Sequence, residues 1–444
     1  MFNKILVANR GAIARRVIRA CSELGIASVA VYSEADSSAP YLEEASEAHA
    51  LTGNTAQETY LDDAALLKVL EKSGADALHP GYGFLAENAD FARSVISNGA
   101  TFIGPDPKWL ASMGDKVQAR KLMADAAFPV FPGSEPLEDL DQALVAAGTL
   151  GYPLMLKPSA GGGGIGMRVV RDDEELRKGF GLAQRMAMAA FADSAIYLES
   201  WLVTPRHVEF QLLGDNEGHV VHVHERDCSL QRRHQKIIEE SPAPGLDRAE
   251  VNAIAESAAR TAELLGYNNV GTLETLRDIS GDYGFLEMNT RIQVEHGVTE
   301  AVTGLDLVAE QIRLASGTSL PAIPELHGHA LEARIYAEDP HTHMPSTGVL
   351  QLFRYPTLEG VRIETGYREG QAVTPYYDPL LAKVIGWGVT REQAIGRVLI
   401  GLRAFTVQGV KTNIPLLARV LAHEEFLRGR VHTGFIQDLL SQPT

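Results

Sequence analysis

The chain has 444 residues, a length that exceeds what one hydrophobic core supports and favours two to four domains. With 57 acidic and 40 basic residues its formal net charge is −17, so phosphate backbones and anionic lipid surfaces repel it, and neither nucleic acid nor a membrane is an expected partner. Two cysteines are too few for a disulfide framework, and no apolar run approaches the ~20 residues of a membrane span, so a cytoplasmic protein or a mature organelle protein is predicted.

The first third of the chain alternates short apolar runs with helical patterns. Strands are predicted at residues 5–8, 27–32, 75–78 and 101–104, with a helix at 12–24. This rhythm predicts βαβ units and a parallel sheet, which binds ligands at the carboxyl ends of its strands. The turns at 9–11 and 79–83 lie at such ends. No G-x-G-x-x-G follows the first strand, which argues against a nicotinamide-cofactor domain.

Helices and strands mix differently in the rest of the chain, and the predicted class changes from α/β to α+β. Helices are predicted at 119–127, 391–404 and 414–422, and strands at 152–157, 195–198 and 207–213. No internal repeat or long linker interrupts them. We therefore expect one compact body.

A glycine-rich segment follows the strand that ends at Lys157. Its sequence is KPSAGGGGIG, from Lys157 to Gly166. Consecutive glycines let backbone N–H groups approach a polyphosphate without a clash from Cβ. A flexible surface turn is the alternative interpretation, and a Walker A loop is excluded because no Gly-Lys-Ser/Thr follows.

The segment LEMNTRIQVEH, from Leu286 to His296, alternates polar and apolar residues. On a strand this alternation places Glu287 and Asn289 on one face. Carboxylate and amide oxygens suit Mg²⁺, and Glu274 could join them from a neighbouring strand. The alternative is a half-buried strand with a solvated charged face.

The densest positive cluster is the segment ERDCSLQRRHQK, from Glu225 to Lys236. Anion binding is one interpretation, and a solvated loop of salt bridges is the other. A zinc site is a weaker alternative, because no second cysteine supplies a C-x₂-C spacing. It would use residues that lie close in sequence: His222, His224, Cys228 and His234.

Taken together, these segments resemble the biotin carboxylases, a branch of the ATP-grasp superfamily. The resemblance covers essentially the whole chain in order. It rests on the strings ILVANRGAIA, HPGYGFLAEN, MGDK, KPSAGGGGIGMR, PRHVEFQ, ERDCSLQRRHQKIIEE, EMNTRIQVEH, ARIYAEDP, PYYDPLLAKVI and KTNIP.

The resemblance implies three parts: a preATP-grasp domain at 1–114, an ATP-grasp domain at 115–329 with a mobile lid at about 130–203, and a C-terminal biotin carboxylase domain at 330–444. It also implies a ligase that uses ATP, Mg²⁺ or Mn²⁺, and bicarbonate to carboxylate biotin through carboxyphosphate.

The resemblance assigns roles residue by residue. For ATP it implies Lys116, Lys157, Gly163, Gly164, Glu199, Ser200, Trp201, Leu202, His207, Gln231 and His234. For the metal it implies Glu274, Glu287 and Asn289. For bicarbonate it implies Lys236, Arg291, Gln293 and Val294, with Glu295 as general base. For biotin it implies Arg334, which steadies the enolate, and Tyr82.

Four residues depart from the usual family pattern: Pro158, Ile165, Thr275 and Gly297. Gly297 replaces a proline, and we expect it to loosen the segment 293–299. None of the four has a predicted catalytic role.

The resemblance also implies partners: a biotin carboxyl carrier protein, a carboxyltransferase and a second copy of the chain in a homodimer. A separate carrier is expected because the sequence contains no Met-Lys-Met. Acetyl-CoA, propionyl-CoA, pyruvate and urea-type systems share this component, so the acyl acceptor stays open. One rival function is another ATP-grasp ligase, and the string ERDCSLQRRHQK and Arg334 argue against it. The other is a regulatory protein that only binds nucleotide. Against it stands the complete retention of Lys236, Glu274, Glu287, Asn289, Arg291, Glu295 and Arg334.

Overall fold

The computed structural model describes residues 1–159, 166–191 and 193–441. The predictions for Gly163, Gly164 and Ile165 therefore lie outside the described residues.

A parallel sheet forms the N-terminal part of the chain. The strands are β1 (Lys4–Val7), β2 (Ala27–Tyr32), β3 (Glu47–Ala50), β4 (Ala77–His79) and β5 (Thr101–Phe102). They pair in the order β3-β2-β1-β4-β5. All pairs are parallel, which confirms the predicted parallel sheet, although β3 was not predicted.

Helices cover this sheet because their apolar residues recur on one face and pack against the strands. They are α1 (Gly11–Glu23), α2 (Tyr41–Glu44), α3 (Asp63–Ser73), α4 (Ala89–Ser97) and α5 (Pro107–Gly114), with a 3₁₀ turn at Glu34–Asp36. Asp62 and Asn88 cap α3 and α4, since each side chain accepts a backbone N–H from the first turn.

A small three-stranded sheet with two helices forms a separate hydrophobic cluster in the predicted lid. Helix α6 (Lys116–Asp125) precedes it. Its elements are α7 (Leu140–Leu150), β6 (Leu154–Pro158), β7 (Arg168–Val170), α8 (Asp173–Phe191) and β8 (Ile196–Ser200). The strand order is β7-β6-β8, antiparallel, and β6 ends where the glycine-rich segment begins.

An eight-stranded sheet carries most of the predicted site. Its first strands are β9 (Arg206–Gly214), β10 (Val220–Arg232), β11 (Gln235–Ser241), β12 (Asn269–Arg277), β13 (Tyr283–Asn289) and β14 (His329–Tyr336). Between them lie helices α9 (Arg248–Leu265), α10 (His296–Thr303) and α11 (Leu307–Ala315).

The remaining elements are β15 (Gly348–Val349), β16 (Leu352–Arg354), β17 (Val361–Thr365), β18 (Ala372–Val373), β19 (Leu380–Gly388), α12 (Arg391–Ala404), β20 (Thr406–Gln408), α13 (Ile414–Leu421), α14 (Glu424–Leu427) and α15 (Phe435–Ser441). Strands β17 and β19 complete the large sheet, whose order is β13-β12-β9-β10-β11-β14-β19-β17. This sheet therefore runs across the predicted domain boundary at 329/330. Among the described residues, no helix is both long and apolar enough to cross a membrane.

Two local predictions were wrong. The alternating segment after Leu286 does not stay a strand, because β13 ends at Asn289 and α10 begins at His296. Gly297 is buried inside α10, where a Cβ would collide with Ile385, so the glycine permits close packing and does not loosen a loop. For the basic segment, the structure argues against the solvated-loop alternative, since the segment forms a β10–β11 hairpin.

Candidate active site

The three predicted metal ligands lie together on neighbouring strands. Strands β12 and β13 pair so that Glu274 faces Glu287 and Thr272 faces Asn289. Asn289 Nδ2 donates to Glu274 Oε1 at 2.7 Å. Two carboxylates and an amide form a hard oxygen donor set, which fits Mg²⁺ or Mn²⁺. These residues therefore fit the predicted metal.

Lys116 and His207 lie against these carboxylates. Lys116 Nζ donates to Glu287 Oε2 at 2.9 Å. Burial lowers the pKa of Lys116, but the charge and hydrogen bond of Glu287 outweigh burial and raise it. His207 Nε2 lies 2.7 Å from Glu274 Oε2. Burial opposes protonation of His207, and the charge of Glu274 nonetheless raises its pKa.

Lys236 is the cation at the centre of the site. Its Nζ donates to Glu209 at 2.6 Å, to Glu274 at 2.8 Å and to Glu295 at 2.8 Å. Burial lowers the pKa of Lys236, yet the three carboxylates hold it well above its usual value. One ammonium thus joins a predicted metal ligand to the predicted general base.

Glu295 is a buried carboxylate held by cations on both oxygens. Lys236 binds Oε1, and Arg334 Nη2 donates to Oε2 at 2.9 Å. Burial raises the pKa of Glu295, but Lys236, Arg334 and Arg226 together hold it well below its usual value. The carboxylate is therefore ionised and can accept a proton.

Arg334 projects from β14 between three carboxylates. Its Nη2 lies 2.6 Å from Glu239 Oε1 and 2.9 Å from Glu295, and its Nε lies 3.9 Å from Glu332. Tyr82 is half-buried, and its carbonyl accepts Asn9 Nδ2 at 2.8 Å.

Three of the four predicted bicarbonate residues, Arg291, Gln293 and Val294, occupy the irregular segment between β13 and α10, and the fourth, Lys236, lies on β11. Arg291 Nη2 donates to Asn289 Oδ1 at 2.8 Å, and Gln293 Nε2 donates to Glu274 Oε1 at 2.6 Å. The carbonyl of Val294 accepts Lys383 Nζ at 2.5 Å. Each residue is fixed by a partner from another element.

Within the described part of the chain, predicted nucleotide residues lie on both the small sheet and the large one. Lys157 on β6 pairs with Glu199 on β8. Gln231 Nε2 lies 2.7 Å from His207 Nδ1. His234 lies in the β10–β11 turn with a positive φ of 64°, and burial and the charge of Lys157 lower its pKa. Past the end of β8 at Ser200 come Trp201, which is exposed, and Leu202.

Two residues of this network were not singled out from the sequence. Glu209 is fully buried on β9 between Lys236 and Arg226. Arg226 is fully buried on β10, and its Nη2 donates to Gln293 Oε1 at 2.5 Å. The polar alternation His207, Glu209, Gln211 in the string PRHVEFQ was the available signal. Among the described residues, no group of metal ligands combines the four residues of the zinc alternative.

Three family models match consecutive parts of the chain. "Biotin carboxylase, N-terminal domain" matches residues 1–110, "Carbamoyl-phosphate synthase L chain, ATP binding domain" matches 115–323, and "Biotin carboxylase C-terminal domain" matches 332–438. A biotin carboxylase of Halalkalibacterium halodurans is 48% identical, over 100% of this chain and 99% of that protein. The chain belongs to the biotin carboxylase family.

Other members of the family match almost the whole length of this chain. A pyruvate carboxylase subunit of Methanothermobacter thermautotrophicus is 46% identical, over 99% of this chain and 90% of that protein. The biotin carboxylase domain dimer of Hydrogenobacter thermophilus 2-oxoglutarate carboxylase, solved with MgADP and bicarbonate, superposes with a TM-score of 0.96 at 42% identity, covering 100% of both chains. Campylobacter jejuni biotin carboxylase gives 0.97 at 40% identity and 99% coverage of both chains. Membership makes this chain an ATP-dependent ligase, as its resemblance implied.

Proposed function

We propose that this chain carboxylates biotin on a separate carrier protein, using MgATP and bicarbonate, as one subunit of a biotin-dependent carboxylase. The observation that carries the proposal is the contact chain from Glu274 through Lys236 and Glu295 to Arg334. It connects the predicted metal, bicarbonate and biotin groups in one buried network. The proposed reaction needs these three groups side by side, because each step uses the product of the one before.

Activation of bicarbonate is the first step. Lys236 and Arg291 would bind the anion, and Glu295 would take its proton. Lys236 would then divide its charge between bicarbonate and Glu295, which would raise the pKa of that carboxylate and make it a stronger base. The freed bicarbonate oxygen attacks the γ-phosphorus of ATP, ADP leaves, and carboxyphosphate forms.

The metal belongs to this first step. Glu274, Glu287 and Asn289 would hold Mg²⁺ or Mn²⁺, whose charge supports phosphoryl transfer. Lys116 pairs with Glu287 in this structure. If Glu287 bound the metal, Lys116 would be free to bind the phosphates. The lid would exclude water from carboxyphosphate, which is labile. The rest of the nucleotide would be bound by Lys157, Glu199–Leu202, His207, Gln231 and His234.

Carboxyl transfer is the second step. Carboxyphosphate breaks down to CO₂ and phosphate, and the phosphate takes the N1 proton of biotin. The electron pair left on N1 is delocalised onto the ureido oxygen, where the guanidinium of Arg334 would stabilise it. N1 then attacks CO₂. Tyr82 would form part of the biotin pocket.

The partners and boundaries are part of the same proposal. Relatives with this architecture include pyruvate and methylcrotonoyl-CoA carboxylase subunits and a 2-oxoglutarate carboxylase, so an acyl-CoA or a related acid is the proposed class of final acceptor. We propose domain boundaries near 114/115 and 329/330, a homodimer, a carboxyltransferase partner and a cytoplasmic setting. The dimer of the Hydrogenobacter domain supports the homodimer, and the two buried free cysteines, Cys21 and Cys228, support a reducing compartment.

Bicarbonate-dependent ATP cleavage stimulated by free biotin tests this function directly. ADP release should need both bicarbonate and Mg²⁺, and free biotin should accelerate it. ADP release that ignores bicarbonate, or that needs an amino acid or a purine precursor, would point to another ATP-grasp ligase. Binding of MgATP with no turnover, even with a biotinylated carrier, would point to a regulatory protein.

A further inference from the structure

Glu87 reaches from the N-terminal sheet into the bicarbonate segment. It lies between β4 and α4, one residue before Asn88, which caps α4. Its Oε2 accepts Arg291 Nε at 2.9 Å, and its Oε1 accepts the backbone N–H of Thr290 at 3.2 Å. One carboxylate thus binds two consecutive residues that lie 203 and 204 positions later in the chain.

The local backbone fixes where Glu87 points. The preceding turn contains Gly81, Gly83 and Phe84, all with positive φ. Ala86 N donates to Gly83 O at 2.9 Å, and Leu85 and Ala86 are buried. The carboxylate is therefore presented from a rigid turn.

The segment that Glu87 holds has no regular structure of its own. Strand β13 ends at Asn289, and the predicted bicarbonate residues Arg291, Gln293 and Val294 follow before α10 begins. Without strand pairing, the position of Arg291 depends on side-chain contacts. Glu87 supplies two of them, one to the backbone and one to the guanidinium.

The contacts of Arg291 leave part of its guanidinium available. Nε is bound by Glu87, one N–H of Nη2 by Asn289 Oδ1 at 2.8 Å, and one N–H of Nη1 by the carbonyl of Ile292 at 3.3 Å. A guanidinium has five N–H donors, so one on each Nη is uncommitted within the described part of the chain. Two such donors suit the paired oxygens of a bicarbonate anion.

We propose that Glu87 is a positioning residue for bicarbonate: it orients Arg291 so that its two Nη atoms face the anion. This inference rests on the proposed function. An ordinary surface ion pair contributes little, and the Glu87 side chain is 38% exposed. The second contact, to the Thr290 backbone, distinguishes Glu87 from such a pair because it fixes the segment as well as the charge.

Steady-state kinetics of Glu87 variants test this role. Glu87→Ala should raise the KM for bicarbonate about tenfold, the size expected when one charge-assisted contact is lost. Glu87→Gln keeps an acceptor and should give an intermediate KM. The KM for MgATP and the dissociation constant of MgADP, measured by calorimetry, should stay within about twofold. Asp90→Asn is the matched control, since Asp90 is exposed and pairs with Arg93 on its own helix.

Two further measurements decide between positioning and general support of the fold. In an Arg291→Ala background, Glu87→Ala should raise the bicarbonate KM by clearly less than tenfold, because the contact between the two side chains is already absent. Hydrogen exchange should quicken at residues 290–295 in Glu87→Ala and not in the strands of the large sheet. An unchanged bicarbonate KM, or an equal loss of MgADP affinity, would overturn the proposal. A wild-type chain without bicarbonate-dependent ATP cleavage would instead overturn the proposed function, and hydrogen exchange would still report whether Glu87 holds the segment.

Discussion

Arg334 donates one N–H to Glu295, with 2.9 Å between Nη2 and Oε2. The residue proposed to steady the biotin enolate therefore touches the residue proposed to deprotonate bicarbonate. Both are buried, so water screens their interaction little. Because the two side chains are in contact, the charge of Arg334 acts on Glu295, and the two proposed steps are electrostatically coupled.

Replacing Glu295 by Gln tests the first step. The amide keeps the shape of the side chain but cannot accept the proton of bicarbonate, so bicarbonate-dependent ATP cleavage should fall by about 10²–10⁴-fold. MgADP affinity should stay close to the wild-type value, because Glu295 is not among the predicted metal or nucleotide ligands. Calorimetry and a coupled ADP assay measure both. Wild-type turnover in this variant would remove Glu295 from the mechanism.

Replacing Arg334 by Ala tests the second step. Carboxylation of free biotin should fall by about a hundredfold, and bicarbonate-dependent ATP cleavage without biotin should fall much less. The arginine acts on biotin after carboxyphosphate has formed, and that order is the reason for the split. Parallel loss of the two activities would place Arg334 on the ATP side or in a structural role.

Local signals made several elements predictable from the sequence. Helix α12 was predicted at 391–404 and has those ends in the structure. Thr390 caps this helix by accepting the backbone N–H of Gln393, and such a cap can be recognised from four consecutive residues of the sequence. Four of the five strands of the parallel sheet were predicted for the same reason, since short apolar runs and turn residues are local signals, and β3 at Glu47–Ala50 was missed.

Other features depend on partners that are distant in sequence. The polar alternation from Glu287 to Glu295 looks like a strand throughout, yet the residues after Asn289 are held by Glu87, Arg226 and Lys383. No local pattern contains those contacts. Glu209 was missed likewise, because alternation shows that it shares a strand face with His207 but not that this face is buried. Among the described residues, those assigned to the metal, bicarbonate and biotin enolate contact one another from Asn289 and Glu274 through Lys236 and Glu295 to Arg334, and their individual roles stay predictions.

Two buried carboxyls behind Arg334 should give stability an unusual pH dependence. Burial raises the pKa of Glu239 to about 8, with Arg334 opposing and Glu332 adding to the effect. Between about pH 4.5, its usual value, and about pH 8 the folded chain keeps a proton that the unfolded chain has released. The stabilisation that Glu239 contributes is therefore complete at pH values below its pKa in the unfolded chain. It is lost as the pH rises through its pKa in the folded chain.

Glu239→Gln removes that titration, so its melting temperature relative to wild type should rise steadily from about pH 5 and level off near pH 8. Burial raises the pKa of Glu332 to about 7, so Glu332→Gln should change in the same direction and level off nearer neutral pH. Differential scanning calorimetry across this range measures both variants. A difference that does not vary with pH would show that Glu239 holds no proton in the folded chain.

The last prediction is that biotin reaches the site on another protein. Carrier domains of this family present their lysine as Met-Lys-Met, and no such tripeptide occurs in these 444 residues. The purified 48.1 kDa chain, expressed beside an active biotin ligase, should therefore carry no covalent biotin. It should carboxylate a biotinylated carrier added in trans, or free biotin at high concentration, and the same carrier without biotin is the matched control. Because Arg334 is proposed to act on the ureido group, which free and tethered biotin share, Arg334→Ala should suppress transfer to both alike. A streptavidin blot that labels the 48.1 kDa chain itself would contradict the prediction.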